Sequence, residues 1–303
     1  MSIQKALMSF LNQLPYVRSL YQRKVEYDRH CHYPPGHFYS SIVAIDEIKK
    51  REDKIWPAGL NGTIPGVNMN VEGQKNLIKK FEEFYHELPF KFEKTEEFRF
   101  FYDNGYYTYS DAIFLYCFIR YTRPKQIVEM GSGFSSAVMM DTNQKFFDNK
   151  IKLTFIEPYP DRLRGLMRKE DSANRLIVSN VQDVDLSVFE NLEAGDIVFV
   201  DSSHVAKTGS DLNFILFDII PRLKSGVYIH FHDVFHSFEY PKEWVYQGRN
   251  WNEDYFLRAF LMYNNDFEVS LFSNYLHQFH SEIFKEMPLC YKDKGGNLWL
   301  LKK

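Results

Sequence analysis

From Gln126 onward short apolar runs alternate with amphipathic stretches, and this pattern constrains the fold more than any other feature of the chain. The runs are QIVEM, LTFIE, RLIVS, DIVFVD, GVYIHF, FEVSLF and NLWLL. Most are apolar at successive positions, as strands are when helices cover both faces of a parallel sheet. Helices fit Ser135 to Phe147, Asp161 to Lys169 and Ser210 to Leu223 between the runs. The turn cluster Lys292 to Asn297 stands directly before the last run, and a short turn suits an antiparallel hairpin rather than another crossover. The expectation is an α/β fold: a doubly wound, mostly parallel seven-stranded sheet with an antiparallel last strand.

The residues ahead of this pattern differ in character. Helical periodicity is expected in Ile3 to Tyr21, Ala44 to Arg51 and Val71 to Glu87, separated by turn-rich HYPPGHFYS and WPAGLNGTIPG. We expect residues 1–102 to form a helical cap packed on a sheet domain spanning 103–303. The first residues read as an amphipathic helix rather than a signal peptide, because polar side chains break every apolar run. The longest such run, AIFLYCFI, is far short of the roughly 20 residues that a membrane span needs. Charges of both signs are interleaved and the formal net charge is -3, which argues against nucleic acid as the main partner. Cys31, Cys117 and Cys290 show no metal or redox spacing and are expected to be reduced thiols of a cytoplasmic protein.

The first run leads into a loop, Glu129-Met-Gly131-Ser132-Gly133-Phe-Ser135-Ser136, which then enters a helix. Glycines let such a loop turn tightly and approach a ligand closely, while serines can cap the helix. Glu157 ends the second run, where a carboxylate can accept hydrogen bonds from a ribose, and Gln182-Asp183 follow the third, where an adenine edge would lie. A nicotinamide enzyme would prefer a third glycine where Ser136 stands. These elements in this order resemble the class I S-adenosylmethionine-dependent methyltransferases. The resemblance implies that Glu129, Gly131, Ser132, Gly133 and Ser135 lie against the cofactor, that Glu157 holds its ribose, and that Gln182 and Asp183 meet its adenine.

Ligands of open parallel sheets sit beyond the carboxyl ends of the strands. There the fourth run delivers Asp201-Ser-Ser-His204 and the fifth His232-Asp233, so these side chains are expected to converge beside the sulfonium. The arrangement resembles the cation-dependent O-methyltransferases, which implies Asp201, His232 and Asp233 as ligands of a divalent cation and His204 as the base. His232 departs from that pattern, where an acid stands, and an imidazole there either shifts preference from magnesium toward manganese, iron or zinc, or signals that no metal binds. His230 alternates with Ile229 and Phe231 and is expected in the core. Tyr107, ahead of the first strand, and His37 and Tyr39, in a proline-stiffened stretch, are candidate acceptor contacts.

The stretches PPGHFYS and HFHDVFHSFEYP also resemble bacterial methyltransferases associated with glycan synthesis. That resemblance implies O-methylation of a hydroxyl on a small molecule, sugar or glycan, with self-association into a homo-oligomer left open. Two alternatives stand beside it: an oxygenase or hydroxylase using the same histidine and carboxylates for iron, and a cofactor-binding protein without catalysis.

Overall fold

In the computed structural model, which describes residues 10, 14–60 and 62–303, seven apolar runs become strands of one sheet. They are β1 (Gln126–Met130), β2 (Lys152–Ile156), β3 (Arg175–Ile177), β4 (Ile197–Val200), β5 (Tyr228–Phe231), β6 (Phe267–Phe272) and β7 (Leu298–Lys302). Their order is β3-β2-β1-β4-β5-β7-β6. The first five are parallel, and β7 runs antiparallel to both β5 and β6. All four β4 residues are buried, as the absence of polar alternation in IVFV requires of a central strand.

Register decides what the sheet offers at its carboxyl edge. Met130 pairs with both Ile156 and Val200, and Val200 pairs with Phe231. The next residue of each strand therefore emerges in one row: Gly131, Glu157, Asp201 and His232. Four glycine-, acid- or histidine-bearing tips thus come together without any long-range adjustment.

Four helices matter for the site: α1 (Val71–Tyr85), α2 (Tyr109–Thr122), α3 (Phe134–Phe147) and α4 (Glu253–Leu261). Helix α2 is buried from Ser110 to Ile119, which its continuous apolar sequence demands. The segment expected to be a single helix from Ser210 to Leu223 is instead Asp211–Phe214, a wide turn at Ile215–Ile219 and a tight turn at Ile220–Arg222. Pro221 supplies the reason, because its ring displaces the carbonyl one turn back and it has no N–H to donate.

The closing strands also differ from a tight hairpin. Between β6 and β7 the chain makes a helix, Ser273–Phe279, and two short turns before reaching Gly295. Asn274, Tyr275, Leu276 and His277 are buried in this excursion, so it is core and not surface loop.

By its contacts the described chain divides into two units, one of residues up to Ala58 with Lys242–Asn250, the other of Gly59–Pro241 with Trp251–Lys303. Within the first, Glu52 accepts hydrogen bonds from Lys242 Nζ and Tyr246 Oη. Its longest helix among the described residues, Pro15–His30, buries no residue. The expected helix from Ile3 to Tyr21 is described only in part, since residues 1–9 and 11–13 lie outside the described residues. Within the second unit, residues 59–102 pack on the sheet's helices. Phe81 of α1 meets Phe118 of α2 edge to face at 5.0 Å, and Gln74 Oε1 accepts from the Phe272 N–H at 2.7 Å.

Candidate active site

Why the first loop carries a glycine is a question of space. Gly131 has φ +80, and a Cβ there would lie 1.7 Å from the carbonyl oxygen of Asp201. No other residue fits, so the β1 and β4 tips can approach only because this position lacks a side chain. The N–H of Asp201 donates to the Met130 carbonyl at 2.9 Å, closing the same seam.

Below the loop Glu129 is fully buried. Its carboxylate accepts from Ser135 Oγ at 2.5 Å and from Ser136 Oγ, while Ser136 Oγ accepts from the Gly133 N–H at 3.0 Å. Burial pushes the Glu129 carboxyl up to about 8 against the pull of these hydroxyls. These bonds fix the loop on the start of α3, so Glu129 organises the very turn that its sequence position marked.

A cavity of about 550 Å³ opens above this loop, lined by Gly131, Glu157, Asn180, Gln182, Asp201 and Asp211 among others. Each oxygen of Glu157 accepts one backbone N–H, from Ser132 at 2.9 Å and from Tyr159 at 2.7 Å. A carboxylate oxygen has a second lone pair, so capacity remains for a ligand's hydroxyls. Gln182 donates to the Gly209 carbonyl at 2.8 Å and lines the cavity. Asp183 is not among the lining residues; its Oδ2 lies 3.4 Å from Asn180 Nδ2.

At the β4 and β5 tips the backbone is bent sharply, with φ +58 at His204 and +55 at Asp233. Left-handed conformations at non-glycine residues cost on the order of 1 kcal/mol or more and persist where surrounding contacts enforce them. Those contacts can be named. The N–H groups of Asn252 and Glu253 donate to the His204 carbonyl at 3.1 and 3.2 Å, and the Val234 N–H donates to Gly296 at 3.0 Å.

The side chains so held form a charged cluster. His204 Nε2 lies 3.5 Å from Asp201 Oδ1 and 3.8 Å from Asp233 Oδ2, and its Nδ1 lies 2.7 Å from Glu253 Oε2. One donor atom from each of Asp201, His204 and Asp233 comes within 4.8 Å of the others. His232 stands beside this trio rather than in it: its Nε2 is 3.8 Å from Asp233 Oδ1, and its Nδ1 has no partner among the described residues.

Burial alone would drive both histidines toward neutrality. For His204 the hydrogen bonds to Asp201 and Glu253 outweigh that and hold its pKa well above the ordinary histidine value. For His232 the charges of Asp201, Asp233 and Asp111 do the same to a lesser degree. Asp201 is lowered, its own burial being overcome by the two histidines. The carboxylates gathered here thus favour the protonated form of both rings, His204 more strongly than His232.

Tyr107 is buried, its hydroxyl donates to the Asp111 carbonyl at 3.0 Å, and its ring lies 5.2 Å from that of His232. Asp111 accepts from the Gly296 N–H at 2.9 Å and Asn297 Nδ2 at 2.7 Å. Burial pushes the Asp111 carboxyl up to about 7, with His232 opposing. His37 and Tyr39 stand in the first unit, where the Tyr39 N–H donates to His37 Nδ1 at 3.2 Å and the His37 ring stacks on Tyr33.

Glu253 went unread in the sequence. It opens α4, 49 residues from its partner, and an acid in a first helical turn is ordinary; only its complete burial marks it.

Comparison with known proteins agrees with this geometry. Residues 128–234 match the family described as "Methyltransferase domain". An uncharacterized protein of Archaeoglobus fulgidus is 41% identical over 168 residues, covering 53% of this chain and 74% of the relative. Among solved structures, the SAH-bound Podospora anserina methyltransferase PaMTH1 aligns with TM-score 0.42 and 16% identity over 77% of this chain and 93% of its own. The O-methyltransferase TomG from Streptomyces achromogenes, solved with SAM, aligns with TM-score 0.38 and 12% identity over 85% and 96% respectively. Those structural likenesses are too faint to bear on function. The family match is not: it begins inside β1 and ends one residue past Asp233, spanning every tip described above, and residues 128–234 of this chain are a methyltransferase domain.

Proposed function

We propose that the chain transfers the methyl group of S-adenosylmethionine to a hydroxyl oxygen, with a hydroxyl of a sugar or glycan as acceptor. The observation that carries this reading is the convergence of His204 with Asp201 and Asp233, next to a cavity that Asp201 shares with Glu157. A bond forms between the acceptor oxygen and the methyl carbon, the carbon–sulfur bond breaks to leave S-adenosylhomocysteine, and the hydroxyl proton passes to Nε2 of His204. Glu253 holds Nδ1, so Nε2 is the ring atom turned toward the acceptor. His204 must first lose the proton that its neighbours favour. A sulfonium beside Asp201 works in that direction, because a second positive charge disfavours the imidazolium.

Replacing His204 by Ala is expected to lower turnover at least a hundredfold, the range for a positioned base, while cofactor affinity measured calorimetrically stays within about twofold. Full turnover in that variant would remove the base.

The trio favours a second reading in one respect. Two carboxylates and an imidazole within reach of one point suit manganese or iron better than magnesium. Asp201, Asp233 and His204 Nε2 would hold such an ion, and it would lower the pKa of the acceptor hydroxyl. Nε2 cannot serve as ligand and base together, so the readings exclude each other. Stoichiometric manganese binding by equilibrium dialysis, with turnover lost to a chelator and restored by the metal, selects the ion. Chelator-resistant turnover selects the base, and retained iron with oxygen consumption would favour an oxygenase instead.

A further inference from the structure

Beyond the β5 tip lies a second cavity, of about 190 Å³, whose lining includes Ile64, Pro65, His236, Ser237, Arg258 and Phe279. All of its lining residues belong to the second unit. Arg258 is its one permanently charged side chain, half-buried, and among the described residues no hydrogen bond or carboxylate meets its guanidinium. A guanidinium does not deprotonate, and an unpaired cation beside Ile64, Pro65 and Phe279 is incompletely solvated. Such a site gains from an anion more than an exposed arginine does.

His236 adds a second polar point whose character can be worked out. Asn274 Oδ1 accepts the His236 backbone N–H at 3.2 Å, and Asn274 Nδ2 donates to the Gly295 carbonyl at 3.2 Å. Those backbone partners fix the amide's orientation. His236 Nδ1, 3.0 Å from the same Oδ1, therefore carries the ring proton, which leaves Nε2 as an acceptor. Burial, with Lys294 assisting and Asn274 opposing, keeps the ring below the ordinary histidine range and hence neutral.

The cavity is tied to the reaction centre twice. His236 follows Asp233 by three residues, at most about 10 Å of chain. Arg258 follows Glu253 by five along α4, a rise of about 7.5 Å, with its side chain turned about 140° around the helix from that of Glu253. The short chain from Asp233 to His236 keeps the cavity within reach of one acceptor that also meets the cluster.

Building on the methyl-transfer reading, we propose that this cavity is the acceptor's anion subsite. The methyl acceptor carries a carboxylate or phosphate that pairs with Arg258 and a hydroxyl that donates to Nε2 of His236, while its reacting hydroxyl lies at the Asp201, His204 and Asp233 cluster.

The test is a nuclear magnetic resonance titration of the whole protein, loaded with S-adenosylhomocysteine, following the His236 ring and Arg258 Nε signals. The probes are glucuronate, glucose 6-phosphate and neutral glucose. At least one anion is expected to give saturable shifts that glucose does not, with affinity reduced at least tenfold in Arg258→Gln and partly kept in Arg258→Lys. Tighter binding of glucuronate assigns a carboxylate, and tighter binding of the phosphate assigns a phosphate. Equal shifts with glucose, no saturable shift with either anion, or undiminished anion binding in Arg258→Gln would overturn the proposal. Calorimetry of S-adenosylhomocysteine is read separately. Its failure with the unaltered protein would strike the methyl-transfer reading, whereas intact cofactor binding without anion binding strikes the subsite alone.

Discussion

A methyl group on Gly131 would collide with the Asp201 carbonyl at 1.7 Å, so Gly131→Ala must push the β1 and β4 tips apart. The positive φ adds its own penalty for alanine. Loss of calorimetric cofactor binding and a lower melting temperature, equivalent to at least about 2 kcal/mol, are expected. Glu253→Gln tests a different matter, since Glu253 positions a ring and need not touch the substrate. It should leave the cofactor's binding constant unchanged and lower kcat roughly ten- to hundredfold, the usual scale for a supporting carboxylate. A purely structural role would instead show as lost stability with kcat of the folded fraction preserved. The tip residues were legible because strand order alone implies their meeting. Glu253 was not, because its contact with His204 is made by a helix that returns from far along the chain and leaves no periodic mark.

The elements repeat that contrast. The strands could be read since they are apolar on both faces, a pattern that water tolerates only when two layers cover it. The link between β6 and β7 was not legible as an excursion, because the turn cluster Lys292–Asn297 serves a side chain and not a hairpin. Its Gly295 bends around Asp111, where a Cβ would lie 2.6 Å from Oδ1. A second non-local tie is Arg99, whose guanidinium pairs with Asp141 at 2.8 Å and Asp171 at 2.6 Å, all three nearly inaccessible to water. Asp141 also accepts the Arg99 and Phe100 N–H groups, both at 2.8 Å. Arg99→Leu would strand two buried carboxylates and should cost about 3–5 kcal/mol, measurable as a lower urea midpoint.

For the molecule as a whole, buried histidines set the acid limit. His277 lies against Phe284 with its Nε2 3.2 Å from Ser110 Oγ, and burial, with a lesser push from Lys294, drives its pKa down to about 4. The unfolded chain takes that proton near pH 6.5, whereas the fold refuses it until about 4. Stability contributed by the neutral ring is therefore whole above the unfolded value and falls by about 1.4 kcal/mol per pH unit between them. His230, stacked on Phe199 at 3.9 Å with neither ring nitrogen partnered among the described residues, is lowered by burial well below the usual range and acts in the same direction. Urea titrations at pH 6.5, 5.5 and 4.5 should give a shallower pH slope for His277→Gln than for the unaltered chain, by close to one proton.

The position of β7 bears on how such a chain comes into being. It lies between β5 and β6, yet it follows both in sequence, and β6 has no other neighbour in the sheet. While a ribosome is still making the residues after Phe272, β6 has no strand to pair with, only contacts such as that of its Phe272 N–H with Gln74, and β5 presents an open edge. Gly296, which braces Asp233, arrives only with that final insertion. A nascent chain thus presents open strand edges, and is prone to pairing with its neighbours, until the interior strand slides home.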